Sequence, residues 1–126
     1  MSPEIISQLV RDYFAATRAM DREAWVTTFA EDAVSYDPVG GPKIEGHKGL
    51  AAFFESITGA FREVGLNAEQ VFVAGNSAAV KWTGQGVSKQ GNKVHFEGID
   101  VFEVNEQGKI KTLHGYWNPA EMMAQL

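Results

Sequence analysis

Three polar side chains sit where the surrounding apolar pattern leaves little room for them. The first is Asp100. In Val94-His95-Phe96-Glu97-Gly98-Ile99-Asp100-Val101-Phe102-Glu103-Val104, strand alternation puts Val94, Phe96, Gly98, Asp100, Phe102 and Val104 on one face. An ionised carboxylate there is costly, so it must be paired, solvated by a cavity, or held protonated by a raised pKa. A plainer reading is an acid closing a hydrogen-bond network at the open end of a sheet, and Ile99 and Val101 give the opposite face apolar character too. Tyr13 lies within a helical apolar stripe, where a tyrosine is ordinarily a large ring whose hydroxyl finds some acceptor. Asp37 precedes Pro38 at the edge of a glycine-rich loop, a common place for a turn aspartate. Together, a carboxylate at a loop rim and two hydroxyl-bearing groups in an apolar interior are the equipment for moving a proton next to a carbonyl. Spacing does not by itself establish that the three converge.

The elements that must position them follow from periodicity. Ser2-Pro3 is an N-cap with proline at the first helical position. Ile6, Leu9, Val10, Tyr13, Thr17 and Met20 then recur at three- and four-residue steps, which predicts a first helix. Asp21 caps a shorter second helix through Trp25, Val26 and Phe29, and residues 33–36 read as a short strand ending in Asp37-Pro38-Val39-Gly40-Gly41-Pro42. A third helix is predicted from Gly46 to Phe61, with Leu50, Phe53, Phe54, Ile57 and Phe61 inward. The period then changes to that of strands, predicted at 66–74, 78–87, 93–104 and 109–117, with turns at Gly75-Asn76-Ser77, Gln90-Gly91-Asn92 and Asn105-Glu106-Gln107-Gly108. Helices first and an antiparallel meander second predict an α+β fold: one domain over residues 1–126, with three N-terminal helices on a strongly curved antiparallel sheet. A cone-shaped α+β barrel of this kind encloses one apolar pocket.

Composition narrows the function classes. The 126 residues are 44% hydrophobic and 21% charged, enough apolar material for a core. The formal net charge is −5 with no basic cluster, which argues against nucleic acid as a partner. No cysteine is present, so thiolate chemistry and disulfides are excluded. His47, His95 and His114 lie far apart without metal-ligand spacing, no glycine-rich phosphate loop follows a strand, and neither a metal nor another cofactor is expected. Met1-Ser2-Pro3-Glu4 opens no signal peptide and no apolar run approaches the roughly 20 residues of a bilayer span, so a cytoplasmic protein without a membrane partner is expected.

From about Leu9 to Asn118 the chain resembles the bacterial ketosteroid isomerases, within the SnoaL-like and nuclear-transport-factor-2-like folds. Val10-Arg11-Asp12-Tyr13, Tyr36-Asp37-Pro38-Val39-Gly40, and Gly98-Ile99-Asp100-Val101-Phe102 with Gly108-Lys109-Ile110 and Gly115-Tyr116-Trp117 carry the resemblance. It implies Asp37 as a proton-shuttling base, and Tyr13 with a protonated Asp100 as the donors of an oxyanion hole, an arrangement for which this family is a standard example. It also implies a cofactor-independent isomerase moving a C=C bond into conjugation with a ketone, a small hydrophobic ketone or steroid-like ligand, and a homodimer. Phe53, Phe54, Leu113, Gly115 and Trp117 would form the pocket, although for the two phenylalanines ordinary core packing explains the residue type equally well. Two features depart from the family pattern. Phe29 and Phe54 stand where some members carry further tyrosines, and in the ungapped register Lys81, Thr83 and Gln85 face the pocket, whereas a bulge would turn Val80 and Trp82 inward. A polyketide cyclase, a dehydratase, an epoxide hydrolase or a non-catalytic binding or dimerisation module are the alternatives on this architecture.

Overall fold

In the computed structural model, which describes residues 2–126, the N-terminal caps form as their residue types dictate. Helix α1 (Pro3–Arg18) is capped by Ser2, whose Oγ accepts from the Ile5 N–H at 3.3 Å. Helix α2 (Arg22–Val26) is capped by Asp21, whose carboxylate accepts from the Ala24 N–H at 3.0 Å. Strand β1 (Phe29–Tyr36) starts four residues earlier than the sequence predicts, and Phe29 belongs to it rather than to the second helix. A two-residue strand, β2 (Ile44–Glu45), leads into α3 (Gly46–Thr58). The meander follows as β3 (Phe61–Ala74), β4 (Ser77–Ser88), β5 (Lys93–Val104) and β6 (Ile110–Trp117).

Phe61 opens β3 instead of ending the third helix. It is buried under Phe96 with ring centroids 6.5 Å apart, in a second core cluster with Val64, Val94 and Met122. A further short helix, α4 (Pro119–Met123), closes the described chain. Its signal is a cap residue followed by proline at the first helical position, as Ser2-Pro3 is at α1: Asn118 Oδ1 accepts from the Ala120 N–H at 3.0 Å.

The six strands form one curved sheet in the order β2-β1-β6-β5-β4-β3. β2 and β3 remain as free edges, so the cone does not close into a barrel. Every pairing is antiparallel except β1 with β6, which run parallel from Phe29 opposite Ile110 to Tyr36 opposite His114. That pairing requires α3 and four strands between its partners, which explains why turn residues do not announce it. The concave side is filled by the helices: Ile6, Val10, Phe14, Leu50 and Phe54 meet Phe102, Ile110 and Leu113 from the sheet in one core. No described helix is long and apolar enough to cross a membrane.

Strand β4 settles the orientation that the sequence leaves open. Ala78, Val80, Trp82 and Gly84 are buried, whereas Lys81 and Thr83 lie on the outer face. There Lys81 Nζ reaches Glu97 at 2.5 Å and the Thr83 hydroxyl donates to Glu69 at 2.7 Å. The irregularity is in β3, between Ala68 and Gln70, where Glu69 is the extra residue. Of the two registers the sequence allows, the one with Val80 and Trp82 inward is the one the fold adopts.

Candidate active site

Four elements bring Tyr13, Asp37 and Asp100 into one pocket. Tyr13 comes from the middle of α1, where it is 2% exposed and ringed by Phe14, Trp25 and Phe102 at centroid distances of 5.0, 5.7 and 4.9 Å. Asp100 is on the inner face of β5, also 2% exposed, opposite Val80 of β4 and Gly115 of β6. Asp37 follows β1 at the pocket's edge, before a cis bond to Pro38. Its loop is tied to β6 by the Val39 N–H, which donates to the Gly115 carbonyl at 2.8 Å. Trp117 supplies the direct partner: its indole N–H donates to Asp37 Oδ1 at 2.5 Å.

Gly115 explains how two carboxyl groups fit side by side. A Cβ at this residue would lie 2.5 Å from Asp37 Oδ1 and 3.2 Å from Asp100 Oδ1, so both oxygens occupy the space a side chain would take. Gly115 is a spacer behind the acids and does not form a wall of the pocket. Leu113 likewise leaves the wall expected of it. It is fully buried in the main core, on the strand opposite Phe102, because β6 carries it behind the first layer of pocket side chains.

The rest of the lining is apolar. Phe53, Phe54 and Ile57 come from α3, Val64 and Leu66 from β3, and Trp25, Trp82, Phe96 and Trp117 supply four further aromatic rings. The hydroxyls of Thr17 and Thr58, which also line it, donate to the Phe14 and Phe54 carbonyls and present little free polarity. The cavity between these walls is about 70 Å³, below the roughly 300–1,000 Å³ common for small-molecule sites, so a steroid-sized ligand requires the lining side chains to move apart. The positions where a chain of tyrosines was expected to be interrupted are hydrocarbon: Phe29 and Phe54 pack on Trp25 at 4.9 and 5.0 Å. Trp25 and Phe96 are not singled out from sequence as site residues, and Trp82 faces the pocket in only one of the two registers the sequence allows. Their signal was the apolar stripe of α2 and the strand alternation, neither of which separates a pocket wall from a core.

Among the described lining residues there is no Lys, Arg or His. With no cation at hand, the two acids respond to burial by holding protons. Burial pushes the Asp37 carboxyl up from 3.8 to about 6, against the pull of the Trp117 N–H. Burial first, and then the negative charge of Asp37, push Asp100 well above the carboxylate range, with Trp82 and Tyr13 pulling the other way. Burial followed by the charges of Asp100 and Asp37 raises the Tyr13 hydroxyl well above its usual value, keeping it a donor. Asp37 thus gives up its proton more readily than Asp100, and both share one apolar space with a phenol that holds its own proton. Among the described residues no three His, Asp or Glu side chains gather as metal ligands.

Comparison with known proteins places this geometry in a family. Residues 10–113 match the SnoaL-like domain. A steroid Delta-isomerase of Nocardioides simplex is 27% identical over 124 residues, covering 98% of this chain and 97% of the relative. Among solved structures, the epoxide hydrolase/cyclase-like enzyme SalBIII, with a role in pyran ring formation in the polyether salinomycin, is 26% identical with a TM-score of 0.82, covering 92% of each chain. The Mycobacterium tuberculosis protein RV0760c, solved in complex with estradiol-17beta-hemisuccinate, is 25% identical with a TM-score of 0.81, covering 93% of this chain and 96% of that one. The family match over most of the chain and the shared fold agree: this protein belongs to the SnoaL-like domain family, within the nuclear-transport-factor-2-like superfamily.

Proposed function

We propose that the protein is a cofactor-independent isomerase that moves a carbon–carbon double bond into conjugation with a ketone on a steroid-like, hydrophobic substrate. The observation that carries this reading is the pair of acids with unequal proton affinity sharing one apolar pocket with a buried phenol. Asp37, ionised above about 6, takes a proton from the carbon between the carbonyl and the alkene. The electrons of that C–H bond move into the carbonyl, and the oxygen that becomes negative accepts hydrogen bonds from the Tyr13 hydroxyl and the Asp100 O–H. Asp37 then returns the proton to the far carbon of the conjugated system, which restores the ketone and leaves the enzyme unchanged. The dry walls from Phe53, Phe54, Leu66 and Phe96 suit an apolar skeleton. The relatives named for steroid isomerisation and solved with an estradiol ester support that ligand class.

The test is incubation with a β,γ-unsaturated 3-ketosteroid while following the ultraviolet absorbance of the conjugated enone. Turnover by the wild type that is lost in Asp37→Asn supports the isomerase; absence of turnover at saturating enzyme rejects it. A second reading has a specific observation in its favour. The two carboxyl groups lie close to one point above Gly115, and the SalBIII relative is epoxide hydrolase/cyclase-like. In that case Asp37 would activate a hydroxyl or water while Asp100 protonates an epoxide oxygen, and hydrolysis or cyclisation of an apolar epoxide would replace the steroid reaction. Either enzyme is proposed to work as a homodimer through the outer face of the sheet, where Ile99 lies opposite Tyr116 with both exposed and Phe72 is 65% exposed.

A further inference from the structure

The indole nitrogen of Trp82 is the one buried side-chain polar atom among the described residues that closes no hydrogen bond. Such a donor is destabilising where it stands unless something completes it. Trp82 lies on the inner face of β4, opposite Gly98, two residues from Asp100 along the same face of β5. Its ring crosses β5 at that glycine, where a Cβ would sit 2.6 Å from Trp82 Cζ2. Edge-on contacts with Phe96 at 5.8 Å and Trp117 at 6.1 Å fix the ring's orientation. Asp37 already receives the N–H of Trp117, which leaves Asp100, on the strand paired with β4 and lining the same pocket as Trp82, as the acid within that ring's reach.

We propose that Trp82 is a positioning residue for Asp100, its N–H addressing one carboxyl oxygen so that the proton on the other oxygen faces the cavity. A neutral carboxyl has one O–H donor and one carbonyl-type acceptor, and an N–H can pair only with an acceptor. Occupying that oxygen with Trp82 leaves the O–H side free for a ligand. As Asp100 shares its proton with an anionic ligand oxygen, negative charge builds on the carboxyl, and the Trp82 contact tightens in response. Charge from the ligand is thus spread over a chain running from oxyanion to Asp100 to Trp82. The inference rests on Asp100 acting as a protonated donor, as proposed above.

The test uses 4-nitrophenol at pH 8, whose ionised form absorbs in the visible, as an oxyanion probe. Trp82→Phe, which keeps an aromatic ring, is expected to weaken binding by about five- to tenfold, the size of one hydrogen bond. In an Asp100→Leu background the same substitution is expected to change affinity by less than about twofold, because a coupled pair is non-additive. An equal loss in both backgrounds, or no loss in either, overturns the inference and leaves the role of Asp100 intact. If Asp100→Leu alone binds the probe as well as wild type, the oxyanion role of Asp100 falls and takes this inference with it. A second measurement does not depend on the variant's folding. In wild-type protein labelled with 15N at the indoles, the Trp82 N–H proton is expected to move downfield when 4-nitrophenol binds, and an unmoved signal contradicts the proposal.

Discussion

Asp37 is the residue whose replacement should separate function from stability most clearly. Its carboxyl lies against Trp117 and over Gly115 in a pocket without a cation, and burial lifts it from 3.8 to about 6. A carboxyl raised on folding contributes stability fully present below its unfolded value and lost as the pH rises through its folded one. Between 3.8 and about 6 the folded chain therefore holds a proton that the unfolded chain has released, and stability falls. Above that window the ionised side chain costs about 3 kcal/mol, and roughly 0.5 kcal/mol remains at pH 4. Asp37 keeps some surface at the pocket rim, and water there reduces the larger figure to about 2–3 kcal/mol. Asn has nearly the same shape, still accepts from the Trp117 N–H, and carries no charge. Asp37→Asn is thus expected to be about 2–3 kcal/mol more stable than wild type at pH 8, a melting shift of roughly 6–12 °C, and nearly equal to it at pH 4. Urea unfolding at the two pH values, followed by tryptophan fluorescence, measures the difference. A stabilisation that does not depend on pH, or a loss of stability at pH 8, refutes the reasoning.

Two further outcomes follow from the same geometry. Gly115→Ala places a methyl group 2.5 Å from Asp37 Oδ1, so turnover should fall by at least about 100-fold while circular dichroism shows the fold retained; unchanged turnover would mean the acids are not packed as described. Trp117→Phe removes the donor that holds Asp37 down, so the midpoint at which kcat/KM rises with pH should move from about 6 to about one pH unit higher. A midpoint that stays or moves to lower pH would contradict the assignment of that hydrogen bond.

The parts of the site legible from sequence are those fixed by short-range periodicity. Asp100 reads as inward because Phe102 and Val104 share its face, and in the fold all three are buried. Tyr13 reads as inward for the same reason on a helix, between Val10 and Thr17. What the pattern could not supply is set by pairings between distant strands. The parallel β1–β6 contact positions Asp37, yet no turn residue marks it. The choice between Lys81 and Trp82 as the inner residue of β4 depends on partners on other strands, Glu97 and Glu69 outside and Gly98 inside. Leu113 and Gly115 alternate correctly on β6, but alternation gives the face and not the depth, so one became core and the other a spacer.

The most direct measurement is a carbon-13 NMR titration of protein labelled at the aspartate carboxyl carbons, with Asp37→Asn and Asp100→Asn spectra to assign the two signals. The account predicts that Asp37 titrates near pH 6 while Asp100 keeps the chemical shift of a protonated acid at pH 8. If both carbons show ionised shifts by about pH 5, a range ordinary for exposed carboxyls, the pocket does not hold an acid and a base side by side.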